Sequence, residues 1–143
     1  LELFTKQRHA NKLCAAFIDA DRFKGINDNF GHDTGDKVLK FLSSKIQDFV
    51  NTQLNGEVYR YGGEEFIILC FEEKNLLIEK LNFLKESIKS QRVFHPEKEI
   101  SITISIGVSF YNKAHSIDHF IKLADNKVYE AKINGRDRLE VSN

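Results

Sequence analysis

The sequence contains neither tryptophan nor methionine, whereas it contains twelve phenylalanines. We therefore expect a hydrophobic core made of Phe, Ile and Leu. Hydrophobic residues are 41% of a chain of 143 residues, which is enough for a sizeable core in one ordinary domain.

An excess of charge of one sign is also missing, because 21 Lys and Arg residues balance 21 Asp and Glu residues. This balance gives no support for broad attraction to nucleic acid or to a membrane surface, although it allows a local basic pocket. No apolar run approaches the roughly 18 residues of a transmembrane helix, and no signal peptide is recognisable. We expect a cytoplasmic domain without direct membrane contact.

Cysteine is scarce, and both Cys14 and Cys70 lie in apolar, strand-like runs without metal-ligand spacing. The pattern predicts buried, reduced thiols. The chain lacks an initiator Met and opens in a polar, helix-like segment. We expect residues 1–143 to form a single domain of a longer protein, preceded by a sensor or regulatory domain.

Hydrophobic periodicity predicts an alternation of helices and strands. The predicted elements, in chain order, are a strand at 12–18 followed by Asp19, a short helix at 22–30 closed by Gly31, a helix at 34–53, strands at 57–61 and 65–72 with Gly62–Gly63 as a two-residue turn, a helix at 74–90, one strand through EISITISIGVSF, a helix at 116–133 and a final strand RLEV. In the long strand, Ile, Val and Phe alternate with Ser, Thr and Gly.

The order βα(α)ββαβ is typical of a ferredoxin-like α+β fold, an antiparallel-type sheet flanked by helices, as in nucleotidyl cyclase and polymerase palm domains. In this topology the first strand ends beside the strand that leaves the hairpin. We therefore expect Asp19 to meet Glu64 and Glu65 at one end of the sheet.

Such a cluster, with Asp21 close by, is electrostatically costly. Two unit charges about 4 Å apart repel by roughly 4 kcal/mol at an effective dielectric of 20. A divalent cation with oxygen ligands, Mg²⁺ or Mn²⁺, would offset this repulsion and hold phosphates. The alternative is a solvated hairpin tip with incidental acids.

The segment RYGGEEF, residues 60–66, resembles the signature of GGDEF domains, the diguanylate cyclase family, in its GGEEF form. Three further blocks resemble the same family: FIDADRFKGINDNFGHDTGDKVL, ISITISIGVSF and LADNKVYEAKINGRDRLEV. Together they span residues 13–141, and only residues 1–11 stand where the family has a leading helix.

The resemblance implies the roles of particular residues. It implies Asp19, Glu64 and Glu65 as catalytic residues, with two metal ions per site bound by Asp19, the carbonyl of Ala20, and Glu64. It leaves Glu65 with a role in metal binding or proton transfer. The residues themselves leave Asp21 as either a helix N-cap or a ligand.

Substrate contacts are implied in the same way. Asn27 and Asp36 would bind guanine, since a carboxylate accepts from N1–H and the 2-amino group, which adenine lacks. The implied phosphate contacts are the backbone N–H groups of Arg22 and Phe23 and the side chains of Lys24, Lys132 and Arg136.

The implied activity is condensation of two GTP into cyclic di-GMP and two pyrophosphates across a homodimer. One alternative is a catalytically silent GTP-binding regulatory module. The others are a sensor of cyclic di-GMP and a different nucleotidyl cyclase. No Arg lies between Ile46 and Tyr59, so the Arg-x-x-Asp inhibitory site of many members is predicted to be absent.

Overall fold

A computed structural model describes residues 13–95 and 98–142. The predicted remnant of a leading helix at 1–11 lies outside these residues. The elements are β1 (Leu13–Ala20), α1 (Phe23–Phe30), α2 (His32–Gln53), β2 (Asn55–Arg60), β3 (Glu65–Phe71), α3 (Lys74–Ser90), β4 (Val93–His95), β5 (Lys98–Ile100), β6 (Ile104–Phe110), α4 (Ile117–Ile133) and β7 (Arg138–Val141).

Five strands form the main sheet in the order β2-β3-β1-β6-β7, and β4 pairs with β5 in a separate two-stranded sheet. Strands β1, β2, β3 and β6 pair antiparallel, whereas β7 lies parallel to β6. The predicted ferredoxin-like arrangement is confirmed, and β7 extends it to a mixed sheet. Among the described residues, no helix is long and apolar enough to cross a membrane.

Helices cover both faces of the sheet. Helices α2 and α3 pack on one face, where side chains such as Leu42 and Leu81 enclose Ile18 and Ile68. Helix α4 packs on the other face. This face carries the alternate residues of β1 and β3, such as Phe17, which is next to Ile18 in sequence. The alternation of strand side chains thus fills two cores with one sheet.

The two cysteines lie directly opposite each other on β1 and β3, and each is 0% exposed. Both are reduced, as predicted. The Sγ atom of Cys14 donates to the carbonyl of Glu72 at 3.3 Å. A hydrogen bond with Cys14, together with burial, raises the pKa of the Cys70 thiol. Neither thiol is therefore set up as a nucleophile.

The prediction of a single long strand through EISITISIGVSF is wrong, because this segment is divided between β5 and β6. Residues 101–103 leave the ladder for other partners: the Ser101 hydroxyl donates to Lys89 O at 3.1 Å, and the Thr103 carbonyl accepts from Asp21 N at 2.9 Å. The polar side of β6 is also buried, since Ser105 and Ser109 are 0% exposed beneath α4.

The predicted two-residue turn at Gly62–Gly63 is also wrong. Strand β2 ends at Arg60 and β3 begins at Glu65, and Tyr61 N donates to Glu65 O at 2.8 Å. A tight two-residue hairpin turn requires positive φ in glycine. In the described chain, the glycines with positive φ are Gly31 and Gly135. The connection is consequently longer and places Glu64 at its end.

Gly107 of β6 lets α4 approach the sheet closely. A Cβ atom built at this position would collide with the backbone of α4, at the Ala124 carbonyl and the Val128 amide. Helix α4 carries Lys132 near its end. The smallest residue on β6 therefore sets the distance between the sheet and this helix.

We predict that Gly107→Ala destabilises the domain by about 1–3 kcal/mol, since backbone atoms of α4 cannot move aside individually. Gly25→Ala is the matched control, because a Cβ there meets nothing within 4 Å. Within helix α1 this change should stabilise by up to about 1 kcal/mol. Urea unfolding measures both, and equal stability of the two variants would contradict the packing argument.

Candidate functional site

The ends of β1 and β3 bring three acidic residues together, as the topology predicts. Asp19 lies directly opposite Glu65, and the Ala20 amide donates to the Glu64 carbonyl at 3.2 Å. Opposed residues on antiparallel strands place their side chains on the same face. Asp19 and Glu65 therefore share the face of the sheet on which α4 packs.

Burial and mutual repulsion both act on these carboxyl groups. Burial raises the pKa of Asp19, and the charges of Glu65 and Asp21 raise it further, whereas Lys132 acts in the opposite direction. Burial also raises the pKa of Glu64, and the nearby charge of Asp19 adds to this effect. The site therefore resists carrying its full negative charge without a counter-ion.

Lys132 supplies part of that counter-charge from the last turn of α4. Its Nζ atom lies 3.4 Å from Asp19 Oδ1 and 3.7 Å from Asp21 Oδ1. This ammonium, predicted to contact phosphate, thus lies at the carboxylates themselves. A lysine at a helix C-terminus is also favoured by the helix dipole.

Asp21 is not a helix N-cap. Arg22 occupies the N-cap position of α1, in a left-handed conformation and without a side-chain capping bond. The Asp21 side chain is instead buried at 4% exposure. It accepts hydrogen bonds from the hydroxyls of Thr103 and Ser105, both at 2.7 Å, and from the Asp137 amide at 3.0 Å.

The predicted guanine-binding residues lie at the junction of α1 and α2. The half-buried Asn27 carboxamide packs against Gly35, where any Cβ would collide with it. Asp36 follows Gly35, is exposed, and borders a cleft of about 510 Å³ that also contains Arg60. Gly35, the residue before Asp36, thus leaves the space that the Asn27 side chain occupies.

The remaining predicted phosphate contacts lie at two helix ends. Arg22, Phe23 and Lys24 open α1 next to Asp21, with Lys24 exposed and the Phe23 ring buried. Arg136 lies in the turn between α4 and β7. Its Nε atom is buried and has no hydrogen-bond partner in the described part of the chain.

The donor set at the end of β1 fits a hard divalent cation. Within residues 13–95 and 98–142, no group of three or more His, Cys, Asp or Glu side chains is arranged to hold a metal. Asp19 and Glu64 with the carbonyl of Ala20 make two carboxylates and one carbonyl. Mg²⁺ commonly uses so few protein ligands, because it keeps water and binds substrate phosphates.

Sequence reasoning missed the polar network behind this site. Thr103 and Ser105 had a signal, since polar residues alternating with Ile on a buried strand need hydrogen-bond partners. Asp137 had none, because it is 116 residues from Asp21 in sequence. Lys85 and Lys89 of α3 likewise looked like ordinary helix-surface residues, yet both contact Asp137, at 3.5 Å and 2.7 Å.

Comparisons with known proteins show which family the chain belongs to. The family model for "Diguanylate cyclase, GGDEF domain" matches residues 2–138. Diguanylate cyclase DosC of Escherichia coli is 34% identical over 139 residues, covering 93% of this chain and 30% of DosC. A diguanylate cyclase of Vibrio cholerae is 38% identical over 135 residues, covering 92% of this chain and 40% of that protein.

Solved structures give the same result. The GGDEF domain of DgcB from Caulobacter crescentus, in complex with c-di-GMP, superposes with a TM-score of 0.88 at 28% identity, covering 98% of this chain and 85% of that one. The active GGEEF domain of a diguanylate cyclase from Vibrio cholerae gives 0.84 at 30% identity, covering 99% and 88%.

Fold and site therefore define an α+β domain of the palm-like type with a carboxylate centre at one sheet end. The chain belongs to the GGDEF domain family, in its GGEEF form. It spans 30% and 40% of the lengths of the two curated relatives.

The raised pKa of Glu64 yields a prediction that does not depend on activity. Its carboxyl keeps its proton to a higher pH in the folded than in the unfolded chain, so ionisation destabilises the fold as the pH rises above the usual 4.5. In the presence of a chelator, which removes divalent cations, Glu64→Gln should therefore raise the midpoint of urea unfolding at about pH 7. It should not raise this midpoint below about pH 4. Mg²⁺ should stabilise the wild type more than this variant.

The control is Glu79→Gln, which changes an exposed carboxylate of α3. It should leave both the pH dependence and the response to Mg²⁺ as in the wild type. Equal stabilisation of the wild type and Glu64→Gln by Mg²⁺ would exclude Glu64 as a ligand.

Proposed function

We propose that this domain is a diguanylate cyclase, which condenses two GTP molecules into cyclic di-GMP with release of two pyrophosphates. The observation that carries the proposal is the set of Asp19, Glu64 and Glu65 at one sheet end, with Lys132 beside them. The relative from Vibrio cholerae that is described as active also has a GGEEF signature, which favours an active over a silent domain.

The proposed reaction is an in-line attack of a ribose 3′-oxygen on an α-phosphate, with pyrophosphate as the leaving group. Divalent cations, Mg²⁺ or Mn²⁺ and two per site, would lower the pKa of the hydroxyl and offset phosphate charge when bound. Asp19, Glu64 and the carbonyl of Ala20 would hold them. Glu65 would assist from the opposite strand, either as a further ligand or in proton transfer.

Substrate positioning falls to the residues around this centre. Asn27 and Asp36 would bind the guanine edge, and Asp36 would discriminate against adenine, which lacks both donors. The amides of Arg22 and Phe23 and the cations Lys24, Lys132 and Arg136 would hold the phosphates. Lys132, which contacts Asp19 at 3.4 Å, would turn from that carboxylate to the substrate phosphates.

The proposed reaction needs two copies of the domain. One chain provides one Asp19–Glu64 pair and one Asn27–Asp36 pair, which suffices for one GTP. Two domains facing each other across a twofold axis would bring each 3′-oxygen to the partner's α-phosphate. A preceding sensor or regulatory domain would raise the effective concentration of one domain for the other.

The stretch before Tyr59 carries a further part of the proposal. It contains no Arg after Ile46, so we expect no product inhibition through an Arg-x-x-Asp site. A sensor of cyclic di-GMP would need such a site, which makes that alternative the weaker one.

The direct test is incubation of the domain, fused at its N-terminus to a dimerising coiled coil, with GTP and Mg²⁺. We expect cyclic di-GMP and pyrophosphate, identified by chromatography and mass spectrometry. Glu64→Gln should lower the rate by about a hundredfold or more. It removes a carboxylate proposed to hold the cations that offset negative charge on the reacting phosphate. Glu79→Gln should retain the rate. GTP binding without turnover would instead support the silent regulatory module.

The base preference supplies a second test. We predict that Asp36→Ser weakens GTP binding roughly tenfold or more and leaves ATP binding unchanged, since only guanine donates two hydrogen bonds to the carboxylate. Asp33→Ser removes an exposed acid from the first turn of α2, three residues before Asp36, and is the matched control. Competition binding measures both ratios, and an unchanged GTP/ATP ratio in Asp36→Ser would remove Asp36 from the guanine site.

A further inference from the structure

The buried carboxylate of Asp21 has no part in the proposed chemistry. Three donors reach it: the hydroxyls of Thr103 and Ser105, each at 2.7 Å, and the Asp137 amide at 3.0 Å. The Lys132 ammonium lies 3.7 Å from Oδ1. A carboxylate has about four acceptor positions. Three of them are occupied by hydrogen bonds, and the ammonium of Lys132 faces the same carboxylate as an ion pair, so Asp21 is committed to partners within the protein.

The turn that Asp21 contacts is conformationally unfavourable. After α4, Gly135, Arg136 and Asp137 have φ angles of 125°, 63° and 46°. Non-glycine residues rarely adopt this left-handed region, and two in succession persist only where the surrounding structure holds them. The turn therefore depends on contacts from outside it.

Those contacts come from two other elements. The Asp137 amide donates to Asp21 at the end of β1, while the Asp137 carboxylate pairs with Lys85 at 3.5 Å and Lys89 at 2.7 Å, both on α3. Burial alone would raise the pKa of Asp137, but its bond to Lys89 and the charges of both lysines lower it. Asp137 is thus anchored as an anion between β1 and α3.

The same turn carries the residues proposed to hold the terminal phosphates. Arg136 lies within it and has a buried Nε without a hydrogen-bond partner among the described residues. Lys132 is one helical turn earlier and reaches both Asp19 and Asp21. We propose that Asp21 is a positioning residue, which holds Lys132 and the Arg136 turn against the end of β1. This inference rests on the proposed function.

Loss of the Asp21 charge has a specific consequence under this proposal. The Asp137 amide and Lys132 would lose an acceptor, and the turn would relax toward ordinary φ angles. Arg136 and Lys132 would then no longer converge on the terminal phosphates. The guanine contacts at α1 and α2 would stay intact, because they do not touch this network.

The experiment compares GTP with GMP, which lacks the terminal phosphates, in binding to the dimerised domain with Mg²⁺. Asp21→Asn keeps the side-chain shape and should weaken GTP binding about tenfold, while GMP binding changes less than about twofold. The Mg²⁺ concentration for half-maximal GTP binding should not change. An equal loss for GTP and GMP, or a large shift in that Mg²⁺ concentration, would overturn the positioning role.

A coupling measurement shows whether Asp21 acts through the two cations. In a background of Lys132→Ala and Arg136→Ala, the substitution Asp21→Asn should weaken GTP binding by less than about twofold further. An undiminished tenfold loss in that background would mean that Asp21 acts by another route.

A second variant covers the case in which Asp21→Asn does not fold. Lys89→Gln removes the exposed partner of Asp137 on α3 and touches no proposed substrate contact. It should weaken GTP binding more than GMP binding. Lys80 lies on the same helix and forms an ion pair with Glu72 at 2.9 Å. Lys80→Gln breaks this pair and should change neither GTP binding nor GMP binding. Identical behaviour of the two lysine variants would contradict the proposal.

A wild-type domain that binds GTP no more tightly than GMP would overturn the proposed function itself. A wild type that prefers GTP, with Asp21→Asn keeping that preference, would overturn only the positioning role. The two failures are therefore distinguishable.

Discussion

The antiparallel register between β1 and β3 is the constraint on which the site depends. Seven successive pairs, from Leu13 opposite Phe71 to Asp19 opposite Glu65, fix it along all of β1 except its last residue. A slip of one residue would move every side chain of β1 to the other face. Buried residues on both faces oppose such a slip, and so the two cores of the domain align its acidic end.

Placing acids at that end costs free energy, and the structure offsets this cost in two different ways. Asp21 accepts three hydrogen bonds from donors of the protein and forms part of the framework. Asp19 and Glu64 are only partly compensated, by a single lysine, and their pKa values are raised. Incomplete compensation is what we expect of residues that bind a cation, whereas full pairing is expected of residues that hold the structure together.

The sequence was sufficient to predict the fold class, the helices and the meeting of Asp19 with Glu64 and Glu65. These depend on local periodicity and on topology, which a single sequence carries. It was insufficient where partners distant in sequence decide the outcome. The break in the strand at 101–103 arises because Thr103 forms hydrogen bonds with Asp21. The sequence does not reveal this break, because Ile alternates with Ser and Thr there as it would in an unbroken strand. The hairpin length depended on glycine φ angles that composition does not reveal.

The roles of Asp21 and Asp137 could not have been separated from those of their neighbours by motif alone. Asp21 lies two residues after Asp19, and its sequence position allowed either a helix N-cap or a ligand. The burial of Asp21 and its hydrogen-bond partners show that it is not the cap, and both are properties of the assembled fold. Lys85 and Lys89 show the same limit, since their partner belongs to a turn about fifty residues further along the chain.

The facing cysteines of β1 and β3 have a practical consequence for spectroscopy. Both thiols are enclosed, and the pKa of Cys70 is raised, so neither should compete for maleimide or spin-label reagents while the domain is folded. The natural chain can thus be treated as free of reactive thiols in its described part. A single cysteine introduced at an exposed position would give a uniquely labelled protein for following the association of two domains.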